Sequence, residues 1–162
     1  MWRPSGEHSL GDEAELVHGT CVALGRSAAL LRGPPGSGKS DLALRFLYLA
    51  RRGPAALQAP LLVADDQVRL ARAGGRILAT APVTIRGKIE VRGIGIVEVK
   101  SVAEAELKLV VDLVWPDQVE RMPELDKSVQ LLGLAIPVLP LRPWEPSAPI
   151  KLALALARAK AI

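Results

Sequence analysis

Residues Gly33, Pro34, Pro35, Gly36, Ser37, Gly38, Lys39 and Ser40 spell the pattern G-x-x-x-x-G-K-S. Each position has a chemical use. Gly33, Gly36 and Gly38 let the backbone fold tightly, so that successive N–H groups point inward at phosphate oxygens. Lys39 adds a point charge toward the β and γ phosphates of a nucleoside triphosphate, and the Ser40 hydroxyl can take a place on Mg²⁺. Ser27–Arg32 just before the loop is a short apolar run that reads as a buried strand. Leu42, Leu44, Phe46, Leu47 and Leu49 mark a helix over Asp41–Arg52, ended by Gly53-Pro54. Strand, glycine loop and helix in that order bring the positive end of the helix dipole to the phosphate site.

Binding alone is not chemistry, which also needs metal ligands and a group to position or deprotonate an acceptor. Asp65-Asp66 follows the apolar run Leu61–Ala64, at the end of a strand. Neighbours on a strand face opposite ways, so one carboxylate can meet a metal-bound water while the other faces an acceptor hydroxyl. Glu90 lies in Ile89–Ile96, two residues from Arg92, and by itself reads as half of a surface charge pair on an edge strand. His18 before Gly19 reads, on spacing alone, as a structural or solvated histidine.

Around these residues the chain reads as short strands with one clear central helix. Leu16–Leu24 and Ser27–Arg32 pair across Gly25-Arg26, and Val68–Ala71 and Arg76–Ala79 flank a glycine turn as a hairpin. Ala59–Ala64, Ile89–Val91, Ile94–Val99, Leu107–Val114 and Ile136–Leu141 supply further strands. Ile150–Ile162 is a terminal helix with Ser147 as N-cap and Pro149 in its first turn. The expectation is an α/β domain with a mixed sheet. Arg142 and Trp144 read as a packed corner, with a substrate surface as the second reading.

At 162 residues, 49% of them apolar and 23% charged, the chain fits one globular domain. The net charge of +4 suits a phosphorylated ligand or an acidic protein surface, but the basic residues are scattered and form no nucleic-acid stripe. The one cysteine, Cys21, reads as a small core residue and the chain as cytoplasmic. Residues 1–15 read as a frayed lead-in with no export signal, and the terminal helix is too short to span a bilayer.

Four runs occur together in one order: Val17-His18-Gly19-Thr20, Gly33–Ser40, Val63-Ala64-Asp65-Asp66 and Ile89-Glu90-Val91-Arg92-Gly93-Ile94-Gly95-Ile96. In this the chain resembles the catalytic domain of HPr kinase/phosphorylase over about Leu16–Arg158, the fourth run being the specific one. The resemblance implies a phosphate-loop core similar to that of phosphoenolpyruvate carboxykinase, in a single domain over residues 16–162. It implies a kinase that uses ATP and Mg²⁺ to phosphorylate a serine of HPr, a small phosphocarrier of the sugar phosphotransferase system. It further implies that Lys39 holds the β and γ phosphates, that Ser40 and Glu90 bind Mg²⁺, and that Asp66 accepts the serine proton with Asp65 beside it. His18 then resembles an active-site histidine, and Arg121 an active-site arginine able to stabilise charge on the transferring phosphoryl group.

The family's usual form carries an N-terminal domain, a longer loop where this chain has Glu98–Glu106, and a C-terminal extension that grips HPr across subunits. Its segment Pro-Val-Arg-Pro-Gly-Arg-Asn, tied to the reverse reaction, is here Pro140-Leu141-Arg142-Pro143-Trp144-Glu145-Pro146. The expectation is therefore a compact form acting as a kinase on an HPr-like regulator, with reverse phosphorylase activity put in doubt by the altered segment and a homo-oligomer compatible. Two other readings are a phosphate-loop kinase or ATPase with another substrate, and a non-catalytic nucleotide sensor.

Overall fold

The computed structural model describes residues 13–49, 58–115, 117, 121 and 127–160. Among them a nine-stranded mixed sheet forms the body. Its strands are β1 (Ala14–His18), β2 (Thr20–Leu24), β3 (Ser27–Arg32), β4 (Pro60–Ala64), β5 (Gln67–Ala73), β6 (Arg76–Thr80), β9 (Glu104–Leu113), β10 (Ser128–Leu131) and β11 (Leu134–Leu141). A separate two-stranded hairpin is made by β7 (Lys88–Val91) and β8 (Gly95–Glu98). The helices are α1 (Lys39–Leu47) and α2 (Ala148–Lys160).

The main path runs β1-β5-β6-β9-β3-β2-β4. Strand β9 is parallel to β3 along one edge; along the other it meets β6 antiparallel at Glu104–Glu106 and β11 parallel at Val110–Leu113. Period-2 alternation divides β2 and β3 between two cores. Val22, Leu24, Ala29 and Leu31 face α1 and α2, where they meet Leu42, Phe46, Leu152 and Leu156. Cys21, Ala23, Ala28 and Leu30 face the other way, against Val68, Leu70 and Ile77. Among the described residues no α-helix packs on that second core; the sheet curls so that β4 packs on β5 and β6. Cys21 is fully buried there, and burial pushes its thiol pKa up, which keeps it protonated and inert.

The α/β class and the mixed sheet are as expected, and most strands match to within two residues. Three features differ. The expected single strand Leu16–Leu24 breaks at Gly19, where the chain leaves its pairing with β5 and enters the middle of the sheet. A Cβ at Gly19 would stand 2.8 Å from the Leu31 carbonyl oxygen, so only glycine allows the crossing. Helix α1 closes at Leu47, short of Arg52: Tyr48 N–H still bonds to Leu44 O at α-helical spacing, but Leu49 N–H turns to Phe46 O three residues back, tightening the last turn. Strand β10 was not expected; it pairs with β11 through Leu132-Gly133, both at positive φ, a two-residue turn that usually carries Asn-Gly. Strand β1 starts at Ala14, inside the expected lead-in, the rest of which lies outside the described residues.

Among the described residues Phe46 is the largest fully buried side chain, and it joins α1 to the sheet and α2. Phe46→Ala should cost about 3–5 kcal/mol of unfolding free energy, read from urea denaturation. A loss under about 1 kcal/mol would show that this face is not tightly packed.

Candidate active site

The loop from Gly33 to Gly38 leaves β3 and enters α1 at Lys39. Gly38, the helix N-cap, takes φ 96°, and no side chain caps the helix start. The N–H groups of the first turn are thereby left for an anion. Lys39 is buried, and its Nζ donates to Gly33 O at 2.7 Å, Pro34 O at 3.1 Å and Ser37 Oγ at 3.5 Å. The base of the loop is pinned by a bidentate ion pair across β3 and β9, Arg32 Nε to Asp112 Oδ1 at 2.8 Å and Nη2 to Oδ2 at 3.0 Å.

One carboxylate comes to this loop. Asp65 is 8% exposed, and its Oδ1 accepts from Ser40 Oγ at 2.9 Å and from Thr20 Oγ1 at 2.8 Å. Pairing of Cys21 with Ala64 puts Thr20 and Asp65 side by side at the ends of β2 and β4. A serine hydroxyl and a carboxylate within hydrogen-bond distance are hard oxygen donors, and they fit Mg²⁺, which takes one or two carboxylates plus waters and phosphates. They do not make a cage: among the described residues no group of three His, Cys, Asp or Glu side chains could hold a metal ion.

Asp66 is separated from Asp65 by a turn, not by strand alternation as expected. β4 ends at Ala64, and Gln67 N–H donates to Asp65 O at 2.9 Å across Asp66, which takes φ +70°. This is a γ-turn in its rare positive-φ form, a strained conformation that aspartate tolerates better than most residues. It sends Asp66 outward, 71% exposed, with its Oδ1 3.3 Å from His18 Nδ1. Gly19 N–H donates to Asp66 O at 3.0 Å and ties the end of β1 to the turn. Two carboxylates adjacent in sequence thus have opposite settings, one buried against the loop and one open to an incoming molecule.

Glu90 and Arg121 are not brought into this cluster by any hydrogen bond or ion pair among the described residues. Glu90 is exposed on β7, with Ile89 beneath it in the core against α1. Its hairpin is rooted beside β4, through Leu62 N–H to Lys100 O at 3.0 Å and Val102 N–H to Leu62 O at 2.9 Å. Arg92 falls in the hairpin turn, since β7 ends at Val91, so the charge pair with Glu90 on one strand face does not form. Arg121 is exposed.

The other flank of the loop is a groove of about 490 Å³ between Pro34–Ser37 and the ends of β9 and β11, where Trp115, Arg142 and Trp144 line it. Trp144 does pack, its ring lying 3.0 Å from where a Gly38 Cβ would stand, yet it remains 62% exposed. The packed-corner reading is therefore corrected to an open wall held in place. Arg45 of α1 donates to the carbonyls of Pro143 and Glu145. Lys151 donates to the Glu145 carboxylate and, with Arg142, holds its pKa below the usual value. Sequence reasoning gave no role to Thr20 or Trp115; Thr20 lay within a quoted run, but its partner is 45 residues away.

Thr20→Val keeps the shape and removes one of the two donors to a buried carboxylate. It should cost about 1–3 kcal/mol in urea unfolding, whereas Asp66→Asn, at an exposed position whose φ asparagine tolerates, should stay near wild type. Equal stability of Thr20→Val and wild type would mean that water replaces the hydroxyl and that Asp65 is not fixed by it.

Residues 10–151 match the family model described as the HPr serine kinase C-terminal domain. The chain is similar to the HPr kinase/phosphorylase of Caldicellulosiruptor bescii, 37% identical over an alignment of 139 positions that covers 78% of this chain and 42% of that protein. It is likewise similar to the HPr kinase/phosphorylase of Bordetella pertussis, 36% identical over 131 positions covering 74% of this chain and 40% of the relative. The chain thus spans about two fifths of these relatives' length. The structure of the Hpr(Ser) kinase/phosphatase from Coxiella burnetii superposes with a TM-score of 0.73 at 23% identity, covering 91% of this chain and 96% of that one, which shows a shared fold. This chain belongs to the HPr serine kinase C-terminal domain family.

Proposed function

We propose that this chain transfers the γ-phosphoryl group of ATP to a serine hydroxyl of an HPr-like phosphocarrier protein, with Mg²⁺ as cofactor. The observation that carries this reading is the buried Asp65 bonded to Ser40 of the phosphate loop, with the exposed Asp66–His18 pair beside it. Names of similar proteins from several bacteria support the substrate class.

Loop N–H groups and the first turn of α1 take the phosphates, and Lys39 exchanges its contacts with Gly33 and Pro34 carbonyls for phosphate oxygens. Mg²⁺, held by Ser40 and Asp65 with Glu90 as the third donor that the resemblance assigns, would neutralise charge on the phosphates. Asp66 accepts the proton of the attacking serine as its oxygen bonds to the γ phosphorus. The bond from that phosphorus to the β–γ bridging oxygen breaks, and ADP leaves. His18, 3.3 Å from Asp66, orients the carboxylate toward the acceptor. Arg121 is proposed to counter charge on the phosphoryl group during transfer. Positioning supplies most of the acceleration, and the base adds a factor of about 10²–10⁴.

The setting is proposed to be the cytoplasm; no helix among the described residues is long and apolar enough to cross a membrane. The experiment is incubation of the chain with Mg-ATP and an HPr-like protein, followed by intact mass. The expected result is one added phosphate on a serine, slowed about 10²–10⁴-fold by Asp66→Asn with ATP affinity preserved. Tight ATP binding without any mass gain would contradict the proposal and favour a nucleotide sensor.

A further inference from the structure

Strands β3, β9 and β11 are mutually parallel, so their C-terminal ends open at one edge. The first continues into the phosphate loop, the second into Trp115 and the third into Arg142 and Trp144. Ligands of α/β sheets lie in the crevice outside such ends. The strand order fixes the flanks: β2 and β4, which deliver Thr20 and Asp65, lie on one side of β3, and β9 and β11 on the other. A triphosphate in the loop with its γ end at Ser40 and Asp65 therefore has its nucleoside end toward the tryptophan groove.

We propose that this groove binds the base and ribose of the nucleotide, with the base stacked on the indoles of Trp115 and Trp144. The inference rests on the reading of the loop as a triphosphate site and adds to it what holds the other end of the ligand. Three observations carry it. Two of the chain's three tryptophans line one groove of about 490 Å³, within the range of small-molecule sites, and stand 74% and 62% exposed. The Trp144 wall is fixed before any ligand arrives, by the seat on Gly38 and by the Arg45 and Lys151 clamps, which lowers the entropy lost on binding. Arg142 lines the same groove, with its Nη1 held 3.2 Å from Glu145 Oε1, and its guanidinium offers donors to a base nitrogen or a ribose oxygen. Stacking on π-faces tolerates any base, so purines should exceed pyrimidines only through larger overlap.

The test is calorimetric titration of the chain with Mg-ATP and with Mg-tripolyphosphate, which carries the phosphates alone. The wild type should prefer ATP. Trp115→Ala and Trp144→Ala should each weaken ATP about tenfold and leave tripolyphosphate unchanged, with phenylalanine at either position restoring most of the loss. Equal affinity of the wild type for the two ligands would overturn the proposal, as would tryptophan variants that lose both ligands together. So would variants that keep ATP affinity and lose only the HPr-like protein, which would make the groove a protein contact. If neither ligand binds the wild type, the phosphate-loop reading itself fails.

Discussion

Asp65 accepting two hydroxyls at one oxygen is the interaction on which the rest depends. A carboxylate 8% exposed is costly to bury unless it is hydrogen-bonded, and here the bonds come from Thr20 at the start of β2 and Ser40 in the first turn of α1. Three chain segments far apart in sequence are joined at that atom. The β2–β4 register places Thr20 beside Asp65, and the α1 packing against β2 and β4 brings Ser40 to both. Either a slipped register or a displaced helix would leave a buried charge unsatisfied, which penalises alternatives to this arrangement.

The same geometry gives the adjacent carboxylates opposite settings. Asp65 is turned inward, where its bonds to Thr20 and Ser40 fix its environment. Asp66, placed by a strained γ-turn, is turned outward beside His18. A turn with φ +70° is not the relaxed choice for a non-glycine residue, at about 1–2 kcal/mol. That cost lies at the residue proposed to take the acceptor's proton, as strained backbone at functional positions often does.

Much of this was legible in the residues. The loop and its helix follow from glycine spacing and a leucine-rich helical run, and β3 and β9 from apolar runs such as Leu109-Val110-Val111 that are buried on both faces. What escaped depends on tertiary pairing or on unusual turns. Thr20 has no motif of its own and gains its role only from the register with β4. β10 is reversed by Leu132-Gly133 in place of the common Asn-Gly, and Arg72 donating to Leu132 O at 3.1 Å secures a turn that the local sequence does not announce. The groove is assembled by parallel pairing of β9 and β11, so no short window contains Trp115 and Trp144 together.

The central claim is that Asp65 and Ser40 make the phosphate loop a magnesium–nucleotide site. It is tested most directly by titrating ADP calorimetrically with and without Mg²⁺, on wild type and on Asp65→Asn, after confirming that the variant unfolds cooperatively. The wild type should bind more tightly with Mg²⁺, and Asp65→Asn should bind equally in both conditions, at the wild type's magnesium-free level. A folded Asp65→Asn that keeps the full magnesium enhancement would contradict the account.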